Sequence, residues 1–257
     1  MRTVLTIAGS DSSSGAGIQA DLKTVAAFGV FGTCAITALT AQNTREVVAV
    51  DPVAPTMVAA QIDAVMADLP ADAVKTGMLA TRAIVEVVAD RARAWRFPHV
   101  VVDPIVVSSS GRPLLDDEGV EALCRELLPL TAVVTPNVPE AERLSGRAIV
   151  TADDRRDAAR RIHALGTPVV VITGGHTHGD QIVDLVFDGT DFHEFPVDRV
   201  ASRATHGTGC TFSAAVAAHL ALGHDVLEAV RRAQTYVGEA IRRAPGLGAG
   251  HGPLGHL

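Results

Sequence analysis

The residues best suited to chemistry in this chain form one run, Thr205-His206-Gly207-Thr208-Gly209-Cys210. Two glycines one residue apart permit a tight turn. The alanine-rich stretch from Thr211 to Leu222 that follows has the apolar spacing of a buried helix, with Gly223 as its terminator. A glycine turn at a helix start lets backbone N–H groups converge where the helix dipole adds about half a positive charge, a setting that binds anions. Cys210 falls in the first turn of that helix, where the same field is expected to lower a thiol pKa from about 8.5 toward neutrality. Without its neighbours, the GxG reads first as a plain tight connection, and Cys210 taken alone as a small buried residue.

Such a turn needs a framework, and the chain supplies alternating strands and helices. Thr3 to Ala8 is a β-rich run that ends in the Gly9-to-Gly17 loop, and Ile18, Leu22, Val25 and Ala26 then follow helical spacing. The loop lacks the Lys-Ser/Thr ending of a P-loop and the spacing of a dinucleotide fold. Extended segments are expected at 32–40 and 46–50, helices at 56–68 and 82–95, and a strand at 73–76 between them. Three apolar runs, Val100–Val102, Ala132–Val134 and Pro168–Ile172, read as parallel strands buried on both faces. They finish on Asp103, on Asn137 and on Thr173-Gly174-Gly175. Ligands of open α/β sheets bind beyond the carboxyl ends of the strands, so Asp103, Asn137, Glu140 and Gly174-Gly175 are expected on one rim. A hairpin turns at Asp188-Gly189, and a last helix is expected at 226–243. The glycine-rich tail from Pro245 reads as a surface wrap or a frayed end.

Composition narrows the class. A chain of 257 residues that is 47% hydrophobic can bury a large core, and one α/β domain spanning 1–257 is expected. The net charge of -7 and the dispersal of 22 basic residues argue against nucleic acid as a partner and favour small solutes. Cys34, Cys124 and Cys210 are odd in number and far apart, which fits a reducing cytoplasm better than disulfides or a zinc site, and Cys34 and Cys124 read as buried packing residues. No stretch approaches the roughly 18 apolar residues of a membrane span.

The strings Ala8-Gly9-Ser10-Asp11, Gly15 to Lys23 (GAGIQADLK), Thr37 to Thr44 (TALTAQNT), Lys75-Thr76-Gly77-Met78-Leu79, Thr135-Pro136-Asn137 and Thr205 to Cys210 together resemble the hydroxymethylpyrimidine/phosphomethylpyrimidine kinases of thiamine biosynthesis, within the ribokinase-like superfamily. The resemblance spans nearly the whole chain. It implies a three-layer α/β/α fold with a mostly parallel sheet, use of ATP and Mg2+, a homodimer, and two successive phosphorylations in one pocket. By matching position it implies that Gly9, Asp21, Gln42, Met78 and Ile105 meet the pyrimidine. Gln42 carries a donor and an acceptor and Asp21 acceptors only, which suits an aminopyrimidine edge. It further implies that the N–H groups of Gly207, Thr208, Gly209 and Cys210 face the transferring phosphoryl group, with Cys210 as candidate base. Asp103, Asn137, Thr173 and Thr205 are implied near the nucleotide phosphates, and Glu140 with Asp103 near the metal through water. Read without the resemblance, Met78 would be core and Glu140 a solvated helix-start residue.

Some positions depart from the family pattern. Thr173 and Ser109 stand where lysines are usual, Ala204 where asparagine is, and Arg112 where aspartate is common. Only Lys23 and Lys75 occur among the 22 basic residues, and Arg112 is the expected substitute for a lost phosphate contact. Two other functions fit the same residues: a pyridoxal kinase, whose aldehyde substrate could meet Cys210, and a non-catalytic pyrimidine-binding protein. His176-x-His178 suggests a metal pair, but without a third ligand nearby it reads as loop. His206 is expected only to shape its turn, and Asp153 to Arg161 to be the outer face of a helix.

Overall fold

The computed structural model describes residues 1–108, 111–175 and 179–256. Its strands are β1 (Thr3–Asp11), β2 (Phe31–Gln42), β3 (Val47–Pro52), β4 (Ala73–Thr76), β5 (Val100–Val102), β6 (Val133–Val134), β7 (Val169–Ile172), β8 (Gln181–Phe187) and β9 (Phe192–Asp198). They form a nine-stranded sheet in the order β3-β2-β1-β4-β5-β6-β7-β8-β9. The six strands from β2 to β7 run parallel, while β3 and the β8–β9 hairpin add antiparallel pairings at the two edges.

Helices α1 (Gly17–Ala27), α7 (Thr208–Ala221) and α8 (Val226–Arg242) cover one face. The other carries α2 (Pro55–Asp68), α3 (Arg82–Trp95), α4 (Asp117–Ala122), α5 (Val138–Ser145) and α6 (Ala152–His163). Successive strand residues serve opposite layers. Val4, Val101, Val133 and Val171 pack toward α7 and α8, whereas Leu5, Val102, Val134 and Val170 pack toward α2 to α6. This is why the central strands read as unbroken apolar runs: each buried Val or Leu contributes about 1.5–3 kcal/mol on whichever side it faces.

The expected elements at 73–76 and 82–95 match β4 and α3. Three features differ from expectation. Helix α7 begins at Thr208, three residues before its apolar run, because Gly207 adopts φ +82° and turns the chain into the helix there. From α4 the chain continues through a π turn at Leu123–Leu127 and a 3-10 turn at Leu128–Leu130, short elements with no clear period in the sequence. The tail is docked rather than frayed: His206 N–H donates to Gly252 O (3.2 Å), His251 N–H to Thr44 O (2.8 Å), and Tyr236 O–H to His256 O (2.9 Å). Gly250 is required at its position, since a Cβ there would lie 2.0 Å from Thr44 O.

Candidate active site

The parallel strands all end on one side, and beyond that edge the loops bring the expected residues together. Gly9 closes β1 beside the residues that follow β4: a Cβ on Gly9 would lie 3.4 Å from Met78 Sδ, and one on Gly77 3.7 Å from Ile105 Cδ1. Gly9 thus adjoins Met78, and Gly77, one residue before it, adjoins Ile105, so the two glycines leave room where side chains would crowd this apolar floor. Gln42 stands half-buried at the end of β2, with Ser12 Oγ donating to its carbonyl (2.8 Å) and accepting from its N–H (2.8 Å).

The glycine turn lies against the β1–α1 loop, so closely that a Cβ on Gly207 would fall 1.9 Å from Gly15 O. Thr208 N–H is turned toward Thr205 O at 3.4 Å, and the first regular helical bond is Thr211 N–H to Gly207 O at 2.8 Å. Between them the N–H groups of Gly209 and Cys210 precede the helical ladder, and Gly207 caps the helix without a side-chain bond. These are the unshared donors of a helix start, and they suit an anion. Thr208, expected to offer its N–H as well, is better described as closing the turn. Thr205 is exposed, with Oγ1 3.0 Å from His251 Nδ1.

Asp103 follows β5 directly and is sealed beneath the turn. Ser213 Oγ donates to its Oδ2 (3.1 Å), a Cβ on Gly209 would lie 3.9 Å from the same oxygen, and the Cys210 thiol also favours its charged form. Burial raises the Asp103 carboxyl, opposed by Lys75 and assisted by Asp21. Asn137 and Glu140 form a capping box at the start of α5: Asn137 Oδ1 accepts from Glu140 N–H (3.0 Å), and Glu140 Oε2 from Asn137 N–H (2.9 Å). Glu140 is buried, unlike a solvated helix-start residue, and burial together with the nearby Asp103 charge raises its carboxyl. Thr173 follows β7 and bridges to Asn137, its N–H donating to Pro136 O (2.9 Å).

Other expectations need correction. Asp21 is fully buried, with Lys75 Nζ 2.9 and 3.0 Å from its two oxygens and Thr6 Oγ1 at 2.5 Å, so its acceptors are spent inside the protein and face no open pocket. Cys210 is not an activated thiolate: burial pushes its thiol up to about 12, with Asp103 and Asp21 adding to the rise and Lys75 and Gly17 N–H opposing it. A first-turn position cannot offset that, since desolvation penalises the charged form. The Arg112 guanidinium donates to Val47 O (2.8 Å) and Val48 O (3.0 Å) on edge strand β3, so its donors are engaged at the strand that pairs with Gln42. Cys34 and Cys124 are half-buried rather than buried. Ala204, in place of the usual asparagine, is buried, its N–H donating to Ser202 Oγ (3.0 Å). Ser109, His176 and His178 lie outside the described residues.

Among the described residues Lys75 is the largest side chain sealed from solvent, and its place in the site went unread in the sequence. A Cβ on Gly77 would lie 2.8 Å from its Nζ, which puts the ammonium against the backbone of the residue before Met78. The acids Asp21, Asp103 and Cys210 around it raise its pKa, so it stays charged although burial opposes this. A lysine inside an apolar run of β4 is the signal that could have found it, because a buried cation needs partners.

A cleft of about 510 Å3 opens beside the turn between the segment entering it, including Ala201 and Ala204, and the end of α8 with the tail, including Ile241, Arg242 and Leu247. An anion held on backbone donors with buried carboxylates next to it, beyond the carboxyl edge of an α/β/α sheet, is the ground plan of the ribokinase-like small-molecule kinases.

Comparison with known proteins makes that class specific. The chain belongs to the phosphomethylpyrimidine kinase family, whose profile matches residues 11–255. A hydroxymethylpyrimidine/phosphomethylpyrimidine kinase of Synechococcus elongatus is 49% identical over 254 residues, covering 98% of this chain and 96% of that protein. The thiamine biosynthesis bifunctional protein ThiED of Geobacter sulfurreducens is 50% identical over 255 residues, which span 99% of this chain but only 52% of that longer protein. Among solved structures, an ADP complex of Bacillus subtilis pyridoxal kinase superposes with a TM-score of 0.92 at 40% identity, covering 100% of this chain and 97% of that one.

Proposed function

We propose that this chain transfers the γ-phosphoryl group of ATP to the alcohol of 4-amino-5-hydroxymethyl-2-methylpyrimidine, and then phosphorylates the monophosphate to the pyrophosphate. The observation that carries the reading is the uncapped start of α7, packed against Asp103: a Cβ on Gly209 would lie 3.9 Å from Asp103 Oδ2, and Ser213 Oγ of the same helix donates to that oxygen at 3.1 Å. Phosphoryl transfer asks for positioning and charge stabilisation rather than covalent catalysis, and fixed backbone donors provide both.

In this reading the ring rests on Gly9, Met78 and Ile105 with Gln42 at its polar edge, and the nucleoside of ATP occupies the cleft beside Ala204 and Ile241. Its phosphates run past Thr173 and Asn137 to the turn. Cys210, neutral at rest, lies against Asp103 and can pass its proton to that carboxylate as it takes the proton of the alcohol. Asp103 and Glu140 fit a magnesium ion: both are hard oxygen donors, both are buried, and the charge of Asp103 raises Glu140, a repulsion that a divalent cation relieves. When bound, the ion would screen the phosphate charge.

A homodimer, implied by the resemblance, is supported by the exposed apolar side chains Leu39, Val48 and Met57 near the β3 edge. Among the described residues no helix is long and apolar enough to cross a membrane. A cytoplasmic, single-domain enzyme acting on small solutes is the simplest setting.

The structural likeness to pyridoxal kinase keeps one second reading open, in which the acceptor is the B6 alcohol. Competition between the two alcohols for limiting ATP separates them. The proposed function predicts mostly pyrimidine phosphate, and a product that is mostly pyridoxal phosphate would replace it with the second reading.

A further inference from the structure

The turn that holds the phosphate also reaches the residue assigned to the ring. His206 is buried, and its Nε2 lies 2.8 Å from Asp11 Oδ2 and 3.2 Å from the Gln42 side-chain amide. The imidazole has little freedom: it fills the space over Gly15, where a Cβ would meet its Cδ2 at 2.3 Å, and its backbone N–H is held by Gly252 O at 3.2 Å.

Counting donors assigns the protons. Asp11 Oδ1 accepts from Ser13 N–H and Ser13 Oγ–H, both at 2.8 Å, and Oδ2 accepts from Gly15 N–H (3.1 Å) and Ala16 N–H (2.8 Å). A carboxyl ringed by donors is a carboxylate, and His206 and Ser13 hold its pKa below the ordinary value although burial opposes them. His206 must therefore carry a proton on Nε2 to meet Asp11. The Gln42 amide cannot also turn its NH2 toward that N–H, since two donors would face each other. Its two ends exchange by a half-turn, and hydrogen-bond partners decide between them. Thr40 Oγ1, at the other end of the amide (3.2 Å), already donates to Ser10 O at 3.0 Å, so it is left to accept. One orientation leaves no two donors facing each other: Gln42 Oε1 toward His206 Nε2–H, which it shares with the closer Asp11 Oδ2, and Gln42 NH2 toward Thr40 Oγ1.

We propose that His206 is a positioning residue for substrate choice. By fixing the Gln42 amide between itself and Thr40, it leaves one acceptor lone pair and one N–H of Gln42 in a set order for the ring. The phosphate turn and the ring-reading residue thereby become one unit, built on Asp11. This rests on the proposed function, and it gives His206 a task beyond shaping its turn.

The test is a steady-state comparison of wild type, His206→Phe, His206→Gln, Gln42→Ala and the His206→Phe/Gln42→Ala double variant, with ATP and each of the two alcohols. His206→Phe keeps the ring's bulk and removes its donor, whereas glutamine can place an N–H where Nε2 was. We expect His206→Phe to raise the pyrimidine KM about tenfold, at least fivefold more than it lowers kcat, with the ATP KM unchanged. His206→Gln should recover most of that change, and the double variant should be no worse than Gln42→Ala alone. Discrimination against pyridoxal should fall in parallel. Thr40→Val removes the other anchor of the Gln42 amide, together with the Thr40 bond to Ser10 O, and should shift the pyrimidine KM in the same direction by about threefold, which keeps the amide's orientation testable if His206→Phe does not fold. Effects of His206→Phe and Gln42→Ala that multiply, or a loss confined to kcat and ATP KM, would overturn the assignment while the kinase reading stands. A wild type inert on both alcohols would overturn both.

Discussion

Lys75 places its ammonium 2.9 Å from the Asp21 carboxylate across two secondary-structure elements, strand β4 and helix α1, and neither side chain touches solvent. The pair is asymmetric. The acids around Lys75 hold it firmly charged, whereas burial pushes Asp21 upward in spite of Lys75. Breaking a buried pair strands a charge, so Lys75→Met should lower stability by about 3–5 kcal/mol. Removing both charges, as in Asp21→Asn/Lys75→Met, should recover a large part of that. Denaturant unfolding of the single and double variants measures it, and additive losses would show that the two residues do not act as a pair.

Asp11 makes a prediction about pH. Its folded pKa is depressed, so its bonds contribute stability above the ordinary carboxylate pKa, and that contribution is lost as pH falls through the lower folded value. Asp11→Asn should cost about 1–3 kcal/mol near neutral pH. The gap to wild type should close as the pH drops below the usual carboxylate range. Thermal melts of both proteins from neutral to acid pH test this, and a gap that widens toward acid would have the wrong sign.

Gly207 has both a positive φ and no space for a side chain. Gly207→Ala should displace the start of α7 and cost at least about 100-fold in turnover, the loss typical of one misplaced oxyanion donor. Steady-state kinetics on folded variant protein checks it, and near-normal turnover would place the phosphate elsewhere.

Cys210 should be a slow nucleophile in the resting protein, because burial pushes its thiol up to about 12 and little of it is exposed. Alkylation at neutral pH followed by peptide mass mapping should leave Cys210 mostly unmodified. Rapid modification would instead indicate the thiolate that its first-turn position suggests. Cys210→Ala retaining near-normal turnover in the first phosphorylation would remove the relay with Asp103.

How much of this was legible in the sequence depended on distance along the chain. Strand β4 and helix α3 were plain because each has a clean run or period, and the rim residues were plain because Asp103 and Thr173 directly follow apolar strands and Asn137 comes three residues after one. The Lys75–Asp21 pair was not, since it exists only because β1 lies between β2 and β4, and no local pattern reports that strand order. The thiol of Cys210 was misjudged for the same reason: its helix position is local, whereas the burial that raises it comes from packing between distant segments, with Asp103 and Asp21 added from 107 and 189 residues away. The link from Asp11 to His206 spans 195 residues and was likewise hidden.

The most direct measurement is a mass-resolved time course of the protein with ATP, magnesium and 4-amino-5-hydroxymethyl-2-methylpyrimidine. Monophosphate should rise first and then fall as pyrophosphate accumulates, with two ADP formed per pyrophosphate. Absence of both phosphorylated products, in protein shown to be folded and to bind ATP, would contradict the assignment of the Thr205–Cys210 turn to phosphoryl transfer onto this ring.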